Sequence, residues 1–319
     1  MAQIVMDTMD FASYLRDTDA VQKVRPAREW INGLIANLGR SHIDSSPCLP
    51  WQKTHDKFRF RPGEVTLWCG QNGHGKSLVT GMAVLSLIAQ NQKACIASFE
   101  MKPAKTLERM ARQFSSQRQP GYADQDPEIL AVFRELYEQF DALTDGRLWL
   151  YDQQGAVKPD VVAGMAKYCA NELGIGHIVI DSLMKCVAGE DDYNRQKDFV
   201  DTLTSIARDC GTHIHLVHHI RKPGSEGEVP SKADVKGSGA ITDQVDNVLM
   251  VWRNKVKEKK QAEGKLVPPD EADCLLICDK QRNGEWEGKF ALWWHAESQQ
   301  FVASPGARAL DFAAWPHMG

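Results

Sequence analysis

The chain lacks a strongly basic character: of 319 residues, 38 are Lys or Arg and 42 are Asp or Glu, a net charge of −4. No global positive field advertises nucleic acid, so any such contact has to come from a local basic loop. No apolar stretch reaches transmembrane length, which points away from a membrane. Met1 to Asp10 has no cationic segment leading into an apolar run, so no signal peptide is expected there. Repeats and low-complexity tracts are missing too. The eight cysteines (48, 69, 95, 169, 186, 210, 274 and 278) form no CxxC pair. Cys274 and Cys278 stand four apart inside an apolar run, a poor spacing for zinc. Buried, reduced thiols in a cytoplasmic protein are the expectation. The remaining composition, 43% hydrophobic and 25% charged, is that of an ordinary globular protein long enough to bury a large core.

Short β-branched runs alternate with helical patterns from about residue 61 to 303, which predicts an α/β fold, a mostly parallel twisted sheet flanked by helices. Strands are expected at Val65–Cys69, Ala94–Ser98, Leu148–Tyr151, His177–Asp181, His213–Val217, Asn247–Trp252, Asp273–Asp279 and Lys289–Trp294. Helices are expected at Lys76–Gln90, Glu128–Leu143, Pro159–Leu173 and Asn194–Asp209. Residues 1–60 read as an N-terminal extension. Within it Trp30, Leu34 and Leu38 recur at helical spacing, and Pro50 and Pro62 then bracket a loop. Gly224–Ser231 and Glu258–Glu271 read as polar loops, and residues 304–319 as a tail.

Between the first strand and the first helix of this core stands Gly70-Gln71-Asn72-Gly73-His74-Gly75-Lys76-Ser77, a complete GxxxxGK[ST] phosphate loop. Its glycines let successive N–H groups turn inward on a phosphate, and the helix N-terminus adds partial positive charge. Lys76 suits β- and γ-phosphate oxygens, and the Ser77 hydroxyl suits Mg²⁺. Asp181 ends a strongly apolar strand, where an acid can hold the metal through water. Glu100 follows the next strand and can polarise a water, or equally open a helix favoured by the dipole. His213–Val217 runs into His218-His219-Ile220-Arg221-Lys222, and only one of the two histidines can face the site, because successive side chains point opposite ways. The loop with Lys222, Lys232, Lys236, Gly237, Ser238 and Gly239 can be a solvated basic loop or a contact surface. Lys280 and Arg282 share a face, in reach of an anion at a subunit boundary or solvated in an ordinary hairpin turn. Trp293 or Trp294 can stack on a base, though such residues in a strand are more often core.

Together these segments resemble the RecA-like motor domain of the DnaB family of hexameric replicative helicases, whose relatives include phage primase-helicases and the mitochondrial Twinkle helicase. The resemblance runs from about Gly63 to Trp294. Its specific pieces are Gly70–Ser77, Ser98-Phe99-Glu100-Met101, Ile178–Asp181, the His-His-Ile-Arg-Lys stretch, Asp234–Gly239 and Lys280–Gly284. It implies an ATP-dependent DNA helicase, using ATP or another nucleoside triphosphate with Mg²⁺, of 5′-to-3′ polarity. Lys76 with Gly70–Ser77 then binds nucleotide, and Ser77 and Asp181 hold the metal. Glu100 is the catalytic base and His219 the γ-phosphate sensor. Arg282, with Lys280 beside it, is an arginine finger reaching a neighbouring subunit. Lys236, Gly237 and Gly239, helped by Lys222 and Lys232, grip single-stranded DNA through its backbone, without reading bases. The implied partners are single-stranded DNA, five further copies in a ring, and a primase, polymerase or loader, in the cytoplasm of a bacterium or phage-infected cell. The chain departs from the family in carrying neither a zinc-ribbon primase module nor a separate helical N-terminal domain, leaving residues 1–60 as a linker helix. The competing reading is a RecA-like DNA-dependent ATPase without unwinding activity, such as a recombinase or a plasmid replication or loader ATPase.

Overall fold

Four central strands are too uniformly buried to border solvent: every residue of Val65–Cys69 (β2), Ala94–Ser98 (β3), His177–Asp181 (β5) and His213–Val217 (β6) is buried. Such runs belong inside a parallel sheet covered on both faces. The computed structural model describes residues 3–5, 26–36, 38, 46–118, 120, 126–187, 192–221, 227–237 and 239–314. The other strands are Gln3–Val5 (β1), Leu148–Tyr151 (β4), Asn247–Arg253 (β7), Cys274–Gln281 (β8), Gly288–His295 (β9) and Gln300–Val302 (β10). The sheet order is β1-β4-β3-β5-β6-β2-β7-β8-β9-β10. Pairing is parallel from β1 through β7 and antiparallel from β7 to β10.

The helices are Ala27–Ala36 (α1), Lys76–Ala89 (α2), Pro103–Ser115 (α3), Pro127–Thr144 (α4), Pro159–Asn171 (α5), Leu183–Cys186 (α6), Tyr193–Cys210 (α7), Gly239–Gln244 (α8) and Lys255–Ala262 (α9). Proline opens α3, α4 and α5, where its missing N–H has no partner to lose. Strand alternation sorts the core into two layers. Val65, Leu67, Ile178, Ile180, Ile214 and Leu216 meet α5 and α7 on one face. Trp68, Ile96, Val179, Val217, Leu249 and Val251 meet α2 and α3 on the other. Leu49, Trp51, Phe58 and Phe60 pack into that second layer, as does Phe312 near the end of the described chain. All eight cysteines are free, and all but Cys210 are buried.

Two expectations change. Glu258–Glu271 is not all loop, because α9 occupies its first part. The Asn254 side chain caps that helix by accepting the Lys257 N–H at 2.9 Å, and Glu258 pairs with Arg253 and Lys255, so caps and charges hold a helix that has no apolar stripe. The second change is α3, which directly follows the Glu100 segment. Met110, Ala111 and Phe114 are buried against the second core layer, with Leu107 partly buried beside them.

Candidate active site

Ser98, Asp181 and Val217 lie level across β3, β5 and β6, and Val217 lies level with Trp68 of β2. Four adjacent strands therefore end flush. Glu100, His219 and Gly70 each follow two residues beyond that row, and Asp181 stands in it. The result is a cleft of about 400 Å³ lined by Asn72, Gly73, Gly75, Lys76, Ser77, Glu100, Asp181 and His219, with Arg109, Arg253 and Gln299 on its rim. It sits at the carboxyl ends of parallel strands, where open α/β sheets take their ligands.

The phosphate loop is held from several sides. Gly75, in the left-handed region at φ +89°, turns the chain into α2, and a Cβ there would lie 3.3 Å from the Phe301 ring. His74 is buried and accepts the Arg253 N–H at Nδ1 over 3.1 Å, tying the loop to the end of β7. Burial lowers the pKa of this imidazole to about 4, so it is neutral, as that acceptor role requires. The Lys76 ammonium donates to the carbonyls of Gly70 (2.8 Å) and Gln71 (3.0 Å) and to His219 Nδ1 (3.2 Å). Burial lowers its pKa, and a bound phosphate would offer this cation charged acceptors in place of the two carbonyls.

Ser77 Oγ donates to Asp181 Oδ2 at 3.1 Å, so helix start and strand end present a hydroxyl and a carboxylate side by side. These oxygens suit a hard divalent cation. Among the described residues no cluster of three or more His, Cys, Asp or Glu has metal-binding geometry, so a cation here would draw its other ligands from phosphate and water. Burial raises the Asp181 pKa, and the neighbouring Glu100 raises it further. Glu100 behaves oppositely: His219 lowers its carboxyl to about 2, against the opposing effect of burial and with help from Ser182, whose hydroxyl donates to Oε1 at 3.1 Å. An ammonium can only donate, so the Lys76 contact makes His219 Nδ1 the acceptor and leaves the proton on Nε2, which faces Glu100 Oε1 at 3.9 Å. At that separation the two make no hydrogen bond.

Lys280 and Arg282 are not part of this cleft. Gln281 lies level with Asn247, at the start of β7, so both cations stand at the amino edge of the parallel strands. The five residues of β2 alone put roughly 15 Å between the two edges. Lys280 donates to the carbonyls of Thr242, Asp243 and Val245 at the end of α8, at 2.7 to 2.9 Å. Arg282 pairs with Asp246 at 3.1 Å and bonds the Asp243 carbonyl at 2.9 Å. Burial lowers the Lys280 pKa. Lys236 and Gly237 sit beside the site rather than in it. A second cavity, about 510 Å³, shares Glu100 and His219 with the cleft and adds Lys185, Arg221 and Lys236. Gly239 opens α8 and is exposed; Lys232 is exposed and tied to Asp279. Lys222 and Ser238 lie outside the described residues. Trp293 and Trp294 do not line the cleft. Trp294 packs on Phe301 at 5.1 Å and carries Arg253 over its ring, and Lys53 stands over Trp293.

The residues not anticipated are Ser182, Lys185, Arg109, Arg253 and Gln299. Ser182 and Lys185 had a signal, being next to and four after the strand-ending acid. Arg253 and Gln299 reach the cleft only because β7 pairs with β2 and because β10 closes over α2, which spacing does not reveal.

Comparisons with known proteins place the chain among relatives. The chain is 25% identical over 248 residues to the replicative DNA helicase DnaB of Treponema pallidum, covering 76% of this chain and 52% of that protein. It is 23% identical over 204 residues to the DNA helicase/primase of Enterobacteria phage T3, covering 61% and 36%. The chain thus spans about half the length of the bacterial relative and about a third of the phage one. One solved ATPase domain superposes with a TM-score of 0.73 at 13% identity, covering 88% of this chain and 99% of that one. A DnaB-like replicative helicase, solved in a study of its interactions with primase, superposes with 0.68 at 14% identity, covering 90% and 67%. These two share the mostly parallel, helix-flanked sheet and so the RecA-like fold. The family model for the DnaB-like helicase C-terminal domain matches residues 57–303, and the chain belongs to that family.

Proposed function

We propose that this chain is the ATP-driven motor of a replicative DNA helicase, which moves along single-stranded DNA as a ring and hydrolyses ATP between subunits. The observation carrying this reading is the split arrangement: Lys76, Ser77, Glu100, Asp181 and His219 meet in one cleft, and Arg282 stands at the opposite edge of the sheet. One chain then supplies a cleft without its finger and a finger without its cleft, and a ring of copies pairs them.

In the cleft, Lys76 exchanges its carbonyl partners for phosphate oxygens, and the loop N–H groups and the start of α2 complete the cradle. Ser77 and Asp181 would hold Mg²⁺, which would supply neutralisation of the phosphate charge. Glu100, ionised and fixed by Ser182, orients a water and accepts its proton as the oxygen attacks the γ-phosphorus and the bond to the β,γ-bridging oxygen breaks, leaving ADP and phosphate. His219 already touches Lys76 and faces Glu100, so its position can report the terminal phosphate. Lys236, Gly237 and Gly239, with Lys222 and Lys232, are the proposed contacts to the DNA backbone, six copies of a modest loop sufficing despite the net negative charge. The family relationship supports an oligomer, and the DNA helicase/primase and primase-bound relatives support a primase as partner. Among the described residues no helix is long and apolar enough to cross a membrane. The bacterial and phage replication proteins that the chain resembles support a place in the cytoplasm. The test is forked-DNA unwinding together with mass measurement, with and without ATP and single-stranded DNA. An ATP-dependent assembly that opens the fork is expected. A monomer hydrolysing ATP independently of DNA would overturn the reading.

A further inference from the structure

His218 and His219 leave the end of β6 in opposite directions, as neighbours in an extended chain must. His219 turns to Lys76 and Glu100. His218 is fully buried and turns the other way, and its Nε2 meets the carbonyl oxygen of Lys236 at 2.6 Å. A carbonyl only accepts, so Nε2 carries the proton and Nδ1 is left with a bare lone pair. That Nδ1 is buried and has no hydrogen-bond partner among the described residues. An orphaned acceptor in the interior costs free energy that an apolar side chain would avoid. The one polar bond His218 makes is therefore what the imidazole contributes at this position.

That bond belongs to a short antiparallel strap. Ile220 and Val235 form a bridge, the Lys236 N–H donates to the His219 carbonyl at 3.0 Å, and the Arg221 N–H donates to the Asp234 carbonyl at 2.7 Å. The Arg221 guanidinium reaches the Gly237 carbonyl at 3.2 Å. The other ties named here are backbone–backbone or come from the exposed Arg221, whereas His218 grips the segment with a buried side chain.

We propose that His218 is a positioning residue for DNA: its imidazole clamps the Lys236 carbonyl and thereby fixes where Lys236 and Gly237 stand relative to the end of β6. The inference rests on the reading of that segment as the DNA-gripping loop. His219 is the next residue along and its carbonyl is part of the strap, so the clamp also fixes the loop to the histidine that faces the nucleotide cleft.

The test compares His218→Gln, whose amide N–H reaches about as far as Nε2, with His218→Asn, whose amide stops short, using Lys236→Ala as reference. The readouts are the oligo(dT) concentration that half-saturates ATPase stimulation, the DNA-free turnover and the KM for ATP. Losing one buried hydrogen bond is expected to raise the half-saturating oligo(dT) about fivefold in His218→Asn. His218→Gln should stay within about twofold of the parent, and both should keep DNA-free turnover and the KM for ATP. If Lys236→Ala binds oligo(dT) normally, the loop reading fails and the inference with it. If Lys236→Ala is weakened but His218→Asn matches the parent, the loop reading stands and the clamp is refuted. Equal loss in the Gln and Asn variants refutes it too, since the amide would then be irrelevant. Should His218→Asn not fold, hydrogen exchange of the unaltered protein decides: the Lys236 amide must be protected relative to that of Gly237, and exchange of both at the unprotected rate overturns the proposal.

Discussion

Replacing Arg282 by Ala separates what this residue does within one chain from what it does for the next. Within the chain its guanidinium pairs with Asp246 at 3.1 Å and bonds the Asp243 carbonyl. Its side chain is 40% exposed, so solvent screens the pair. Asp246 also keeps two other partners, the Val65 N–H at 3.0 Å and Arg208 at 3.6 Å. The loss in stability is then about 1 kcal/mol, well inside a domain's margin of about 5 to 15 kcal/mol. The folded population, and with it nucleotide binding, should hardly change. Turnover should fall on the order of 10³- to 10⁵-fold, the usual worth of an arginine finger. The assay is steady-state ATPase with single-stranded DNA, alongside the Kd of a fluorescent ATP analogue. Mixing Arg282→Ala subunits with Lys76→Ala subunits is the sharper arm. Each variant alone is inactive, yet in random rings about a quarter of the interfaces join an intact cleft to an intact finger. Activity should reappear on mixing. Normal hydrolysis by Arg282→Ala, or a mixture as inactive as its components, would refute the argument.

Glu100→Gln keeps the side chain's shape but cannot accept a proton, so turnover should fall on the order of 10² to 10⁴ with nucleotide binding retained; full DNA-stimulated ATPase would remove Glu100 from the role of base. Gly237 has φ +107°, and a Cβ there would lie 2.9 Å from both Gln196 Oε1 and Ile241 Cδ1. Gly237→Ala should therefore displace the loop and weaken oligo(dT) binding severalfold, at a local cost of about 1–3 kcal/mol; unchanged affinity counts against the loop as a DNA contact. Acid should destabilise the protein through its buried histidines. Burial lowers His213 to about 4 and sets His177 and His215 well below the ordinary value. The folded state then binds fewer protons than the unfolded state between roughly pH 6.5 and 4, so stability is full above that window and is lost as pH falls through it. For His213 alone the loss is on the order of 3 kcal/mol, and His213→Asn should flatten the dependence of Tm on pH across that window.

Much of the site was legible because its residues stand at strand ends. A run such as Ile178–Asp181 announces a buried strand by composition, and whatever follows such a strand must emerge at one edge of the sheet. Chain position thus located Lys76, Glu100 and Asp181 without any knowledge of contacts, and narrowed the far side to the His218-His219 pair, of which the family resemblance singled out His219. The helices α3 and α9 were not legible in the same way. The first begins at Pro103, three residues after Glu100, and presents Lys105, Glu108, Arg109 and Arg112 among its few apolar residues, and the second is held by Asn254 and charge pairs rather than an apolar stripe. Partnerships between distant backbones were hidden altogether. Nothing about a His-His pair says that the first ring will meet a carbonyl eighteen residues later, because that bond exists only once the strap has formed.

Arg282 shows the same limit from the other side. Spacing placed Lys280 and Arg282 on one face, and an ordinary solvated turn fitted as well as a subunit boundary. The fold adds the direction in which these residues emerge. Because β8 runs antiparallel to β7, the residues after it emerge at the edge where the parallel strands begin, and the phosphate loop emerges where they end. No side-chain rotation brings Arg282 to the cleft of its own chain across roughly 15 Å of sheet. Meanwhile Asp246 and the α8 carbonyls keep the guanidinium partnered while the chain is alone. A finger in trans would have to give up those contacts, and α8, which begins at Gly239 of the loop proposed to hold DNA, would lose a cap at its far end. Under the proposed function, loop, helix and finger would lie on one short path, and engaging a neighbour's phosphate would draw Arg282 away from the helix that begins at the DNA-side loop.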